Sequence, residues 1–143
     1  MTRGTELSSS IVERLEAISP ANGYHTEVRR VYGFGERKPD KAPMPYLLAR
    51  IVSDEMEEAV GTTASRAAQY QIEGVMPRSA TLQELQLLHY DILRTLGTGQ
   101  LPHVRPLKSG WPFEESAEYE PDIEGSATRS VTSTIAIRYV EKY

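Results

Sequence analysis

The stretch RSVTSTIAIRYVEKY, residues 129–143, constrains the fold more than any other part of the chain. Val131, Ser133, Ile135, Ile137 and Tyr139 fall on one side, and Thr132, Thr134, Ala136 and Arg138 on the other. Alternation with period two over such a length fits a long strand with one face on a core and one face polar. AQYQIEGVM repeats the pattern with Ala68, Tyr70, Ile72 and Met76 on one side, and Pro77 ends it. Two such strands need a layer of apolar helix to cover them.

TLQELQLLHYDILRTLG supplies that layer. Thr81 and Glu84 have the spacing of a capping box, and Leu82, Leu85, Leu88, Ile92 and Leu96 follow helical spacing to a terminal Gly97. A second helix is expected in SSSIVERLEAIS, with Ser10 and Glu13 as its capping box and Ile11, Leu15 and Ile18 on one face. It should stop at Ser19, Pro20 and the Asn22-Gly23 pair. Strands are predicted over Thr26–Tyr32, with Val28, Arg30 and Tyr32 sharing a face, and over Pro45–Ser53, whose two apolar faces suit an interior position. DEMEEAVGTTASRA reads as a loop or an irregular hairpin end, TGQLPHVRPLKSGWP as a long surface connection, and FEESAEYEP as a short acidic strand.

Helix, three strands, helix and one or two strands, joined by short loops, predict an α+β fold. Its mostly antiparallel, four- to five-stranded sheet carries both helices on one face. At 143 residues the chain is expected to be a single domain, residues 1–143, long enough to bury a core. A hydrophobic content of 39% with 25% charged residues fits a folded chain. There is no cysteine, which removes disulfides, thiolate nucleophiles and cysteine-based zinc sites together. The first residues lack a signal-peptide core and no stretch approaches a membrane span, so folding in a cytosol is expected. The net charge of −4, with basic residues scattered, lacks the footprint of a dedicated duplex-DNA binder.

Chemistry-bearing patterns are sparse. His25, His89 and His103 lie on different elements, and the adjacent His89, Tyr90 and Asp91 point about 100° apart on a helix, reading as solvated or half-buried positions. Glu114, Glu115, Glu118, Glu120, Asp122 and Glu124 form an acidic run that reads as a solvated strand edge. Glu118 and Glu120 with a histidine would be the centre of a small metal-dependent hydrolase, the enzyme alternative. Gly33 and Gly35 open a nucleotide-binding glycine motif that prolines then interrupt. Arg105, Lys108 and Trp111 could form a platform for single-stranded nucleic acid, but the prolines at 102, 106 and 112 favour an extended segment that packs on the domain or on a neighbour.

The order of an N-terminal amphipathic helix, the GYHTEV turn, a variable loop, PMPYLLARIV, AQYQIEGVM, the LHYDILRTL helix and RSVTSTIAIRYVEKY resembles the tail terminator proteins of long-tailed bacteriophages and related contractile particles. The likeness spans nearly the whole chain and is one of element order, without a signature motif. It implies a structural virion protein at the tail and neck junction, assembled in the host cytoplasm. Such a protein forms a homo-oligomeric ring, usually a hexamer, that caps the tail tube, ends its polymerisation and joins the tail to the neck of the head. The implied partners are further copies of the chain, the tail tube protein, a neck or head-completion protein and, in contractile tails, the sheath protein. DNA would pass through without specific binding, no cofactor, catalytic residue or metal is called for, and no membrane is involved. Head-to-tail adaptor proteins, similar in size and element order, are the close alternative.

The resemblance gives roles to the charged segments. GFGERKPDKAPMP, residues 33–45, is stiffened by proline and loses less entropy on docking, so Arg37, Lys38 and Lys41 are expected at an interface with Arg105, Lys108 and Trp111. Asp54, Glu55, Glu57 and Glu58 are expected to face a lumen whose like charge keeps DNA from sticking.

Overall fold

A computed structural model describes residues 1–143 as two α-helices and a five-stranded sheet. Helix α1 spans Arg3–Glu16 and starts two turns before the expected Ser10 cap. Thr2 is the N-cap, its Oγ1 accepting from the Thr5 N–H at 3.1 Å. The apolar stripe explains the early start, because Leu7 continues the buried series of Ile11 and Leu15 upstream of the serines. Ser8 sits within the helix and bonds the Tyr70 hydroxyl at 3.1 Å. The chain leaves through a 3₁₀ turn, Pro20–Asn22, and Gly23 at φ 88°, as the Asn-Gly pair predicts.

Strand β1 is shorter than expected, Arg30–Tyr32. The residues before it spend their backbone groups elsewhere: the Thr26 N–H donates to Asp91 and the Val28 N–H to the Ile18 carbonyl. The expected shared face of Val28, Arg30 and Tyr32 does not form, since Arg30 is exposed while Val31 and Tyr32 are both buried. β1 also runs parallel to β2, Tyr46–Val60, pairing Arg30 with Tyr46 and Tyr32 with Leu48. Parallel neighbours cannot be joined by a tight turn, which accounts for the length of the 33–45 connection.

β2 does not stop at Ser53. It continues through the acidic residues to Val60, turns at Gly61 and Thr62, and returns as β3, Thr63–Pro77. Asp54 pairs with Ala68, Glu55 with Ala67 and Glu58 with Ser65, with register shifts between Ile51 and Ser53 and between Met56 and Glu58. A strand that runs out past its covering helices needs no apolar face, and from Arg50 onward every β2 residue is exposed except the half-buried Ser53.

Helix α2 spans Leu82–Gly97 with the predicted Thr81 and Glu84 capping box complete. Leu82 itself is exposed, so the apolar face begins at Leu85. β4, Phe113–Tyr119, and β5, Thr128–Lys142, complete a sheet ordered β1-β2-β3-β5-β4, in which every pairing but the first is antiparallel. Both helices lie on one face. Leu7, Ile11 and Leu15 from α1 and Leu85, Leu88, Ile92 and Leu96 from α2 share a core with Tyr70, Ile72, Ile135, Ile137 and Tyr139. Every inward position predicted for β5 is buried. Arg14 ties the helices together by donating to the Thr95, Thr98 and Gln100 carbonyls at the end of α2, where a cation also suits the helix dipole. The 98–112 connection is largely exposed, but Leu101 is buried and Val104 pairs with Tyr139, extending the sheet edge beyond β4. No helix is long and apolar enough to cross a membrane.

Candidate functional site

The charged residues singled out from sequence occupy the two ends of β2. At its start, Arg37, Lys38 and Lys41 are exposed on the β1–β2 connection. Lys38 lies over the Tyr46 ring at 5.6 Å and donates to the Pro39 carbonyl at 3.3 Å. Arg37 and Lys41 have no carboxylate within ion-pair distance. Glu36 bonds the Gly33 N–H at 3.3 Å and stands 3.9 Å from Arg30.

At the far end, the four acidic residues divide. Asp54 turns to the helix side, where Oδ1 takes the Arg66 Nε–H at 2.9 Å and Oδ2 accepts from the Tyr139 hydroxyl at 2.7 Å. Burial first, and then the bond to Asp54 and its charge, push the Tyr139 phenol well above its usual range, so it stays a donor. Glu57 pairs with Arg138 at 3.1 Å on the opposite face, while Glu55 and Glu58 are exposed without an ion pair.

Glu57 and Glu58 meet Arg105 and Lys108 across an open cleft of about 630 Å³, completed by Ser65, Glu114 and Arg138. The cleft lies on the helix-free side of the sheet, and Arg105 reaches the Ser65 hydroxyl at 3.4 Å. Two groups assigned separate roles from sequence, one for a lumen and one for an interface, thus face each other within one subunit. Trp111 is not part of this cleft. Its ring stands edge-on to Phe113 at 5.7 Å and lies against Gly97, where a Cβ would collide with it. It walls a separate groove of about 560 Å³ with Tyr90, Leu93 and Tyr119 beside α2. A continuous platform of Arg105, Lys108 and Trp111 is therefore not formed.

Glu118 and Glu120 are not joined by a histidine. Glu118 pairs across to Thr132 and Glu120 accepts from the Ser130 hydroxyl at 2.8 Å. His103 bonds Glu6, and His89 bonds Glu115, each at 2.6 Å. Glu115 Oε2 also accepts from the fully buried Ser133 at 2.7 Å, and the Tyr119 hydroxyl meets His89 Nδ1 at 3.2 Å. Imidazole and hydroxyl stand on the same carboxylate oxygen, so no ring nitrogen is placed to take the serine's proton, as nucleophilic catalysis requires. The cluster fastens α2 to β4 and β5. Asp91, expected to be solvated or half-buried, is fully buried: its Oδ2 accepts the His25 and Thr26 N–H groups at 3.0 and 2.7 Å, and its Oδ1 has no partner.

Sequence reasoning missed Arg14, Asp91 and the His89 cluster. The alternation of β4 carried a signal for one member, because Phe113, Glu115, Ala117 and Tyr119 occupy the inward parity and a carboxylate there needs a partner. Compared with known proteins, the chain matches no protein-family model and no curated protein significantly.

Proposed function

We propose that this chain is a structural subunit whose work is association: a tail-terminator-like protein that forms a ring on the last layer of a phage tail tube and presents a surface to the neck. The family part rests on the resemblance in element order. The association part is supported by the outer edge of β2.

β1 covers only Tyr46–Leu48, so Ala49–Val60 presents unpaired backbone donors and acceptors along one side. Ile51, Val52, Met56 and Val60 on that strand are 45%, 50%, 52% and 69% exposed. Folded monomers normally shorten or cover such an edge, because it is a template for pairing with another chain. The carboxylates and the register shifts along it reject indiscriminate pairing and leave it open to a partner of matching charge.

Magnitude sets the mode of assembly. Burying four half-exposed apolar side chains yields roughly 1 kcal/mol each, about 4 kcal/mol per contact before the cost of association. Because the cost of association is of the same size or larger, a single contact is weaker than millimolar, so a stable ring needs closure and a template, as the end of a tube provides. Sedimentation velocity and negative-stain electron microscopy of the concentrated protein, alone and with tail tubes, test the reading. The expected result is a closed ring, scarce in free solution and abundant on tube ends. A chain that remains monomeric in both conditions refutes it.

A further inference from the structure

We propose that the open edge of β2, Ala49–Val60, seats the 36–41 loop of another copy of this chain. The inference deepens the ring reading and rests on it. The first ground is the bare edge itself, exposed and without a strand beyond Leu48.

Charge is the second ground. The loop itself, residues 36–41, holds Arg37, Lys38 and Lys41 against Glu36 and Asp40, three positive charges less two negative, a net +1. Arg29 and Arg30, just before and at the start of β1, raise the patch to +3. Residues 49–60 hold Asp54, Glu55, Glu57 and Glu58 against Arg50, four negative less one positive, a net −3. With Asp54 paired to Arg66 and Glu57 to Arg138, it is Glu55 and Glu58 that stand free for a partner. Within one subunit these patches cannot meet. The loop sits beside Tyr46, and at ~3.3 Å per residue Glu55 and Glu58 lie roughly 30–40 Å further along the strand. With a screening length of about 8 Å at physiological salt, almost none of that attraction acts internally. Between copies it acts at contact distance.

A third ground is selectivity. Two copies pairing through β2 in parallel register would set acidic end against acidic end, and β4 as partner would bring Glu114 and Glu118 to Glu55 and Glu58. The 36–41 loop offers this edge three cations without an ion pair, whereas Arg105 and Lys108 already face Glu57 and Glu58 within their own subunit. Pro39 and Pro43 restrict its free conformations, which lowers the entropy lost on docking. Repeated from one copy to the next, the contact generates a ring, whereas made reciprocally by two copies it closes a dimer.

Two charge-reversed variants test it, R37E/K38E/K41E and E55K/E58K, with circular dichroism spectra establishing that each is folded. Under conditions where the wild-type chain oligomerises, each variant alone is expected to sediment as a monomer, with at least a tenfold loss of oligomer. An equimolar mixture is expected to regain the wild-type species, because the acidic loop of one variant then meets the lysines of the other. Folded variants that oligomerise like wild type, or a mixture that stays monomeric, overturn the proposed contact and leave the ring reading standing. A restored species of only two chains supports the contact and overturns the ring. A wild-type chain that never oligomerises, in solution or on tubes, overturns both.

Discussion

Asp91→Ala removes a carboxylate that holds the start of the strand-forming half of the chain to helix α2. Two backbone donors, the His25 and Thr26 N–H groups, lose their acceptor in a region where Thr26 is buried. Leaving the buried Thr26 donor unsatisfied costs about 1–3 kcal/mol, and the His25 N–H, on an exposed residue, adds about 1 kcal/mol at most because water can take the bond. Part of this is returned, because the native carboxylate is itself fully buried with Oδ1 unpartnered, and its desolvation no longer opposes folding. The net expectation is a loss of about 2 kcal/mol and a fall in Tm of about 7 °C for a domain of this size. Asp91→Asn keeps one acceptor and should lose about 1–2 kcal/mol. Urea unfolding followed by circular dichroism measures both, and amide hydrogen exchange at residues 25 and 26 should accelerate well before the rest of the chain. An Asp91→Ala variant within 1 kcal/mol of wild type, with exchange at those amides unchanged, refutes the argument that the carboxylate anchors this segment.

Arg14→Ala breaks the bonds to the Thr95, Thr98 and Gln100 carbonyls and should lower stability by about 2 kcal/mol in urea unfolding, while Arg14→Lys recovers less than half because a single ammonium cannot span all three acceptors. Gly97→Ala gains up to about 1 kcal/mol of helix propensity but places a methyl group inside the Trp111 ring, at a cost of about 1–3 kcal/mol. The ring should swing out, and since Trp111 is the only tryptophan, a red-shifted emission spectrum reads the displacement directly. Burial alone would raise the Glu141 carboxyl, but the N–H groups of Gly4, Lys142 and Arg3 and the Arg3 charge outweigh it and hold the group below its usual range. A depressed folded pKa stabilises the fold above the ordinary carboxylate range of about 4.3 and loses that contribution as pH falls through the folded value. Glu141→Gln should therefore be less stable than wild type at pH 7, and the gap in Tm should narrow steadily below about pH 4.

What could be read in advance depended on whether local pattern and tertiary burial agreed. In α2 and β5 the periodicity of the side chains coincides with the face that the core covers, and both elements match their expected positions closely. β1 fell short because the Thr26 and Val28 N–H groups are taken by Asp91 and Ile18, partners 65 and 10 residues away along the chain, and no local pattern encodes such a loss. The second half of β2 was hidden for the opposite reason. Its ladder to β3 runs to Val60 with only Val52 and Glu57 skipped, yet the strand's own side chains are almost all exposed, so Asp54–Glu58 carry loop-like residues on strand backbone. The individual charges of the candidate site were visible, but which of them meet was fixed by register: pairing Glu58 with Ser65 brings it beside Arg105, and pairing Arg138 with Ala67 brings it to Glu57.

The same register carries the functional argument one step further. The far half of β2 gains little from burial, although its partner β3 keeps Ala64 and Ala68 buried and stays paired with β5. Residues 50–60 are therefore held mainly by backbone bonds and by ion pairs such as Asp54 with Arg66 and Glu57 with Arg138. Surface ion pairs contribute about 1 kcal/mol or less each, too little to explain on stability grounds why β2 continues so far with almost every residue exposed. A strand half that buries almost none of its own side chains yet keeps a long acidic outer edge is better accounted for by what docks on it. Glu57→Pro, at a register shift where β2 has no β3 partner, blocks the outer edge without cutting the sheet and should therefore leave a folded monomer that no longer oligomerises. Loss of folding in this variant would mean the outer half of β2 is needed by the subunit itself, and the argument from its exposure would fail.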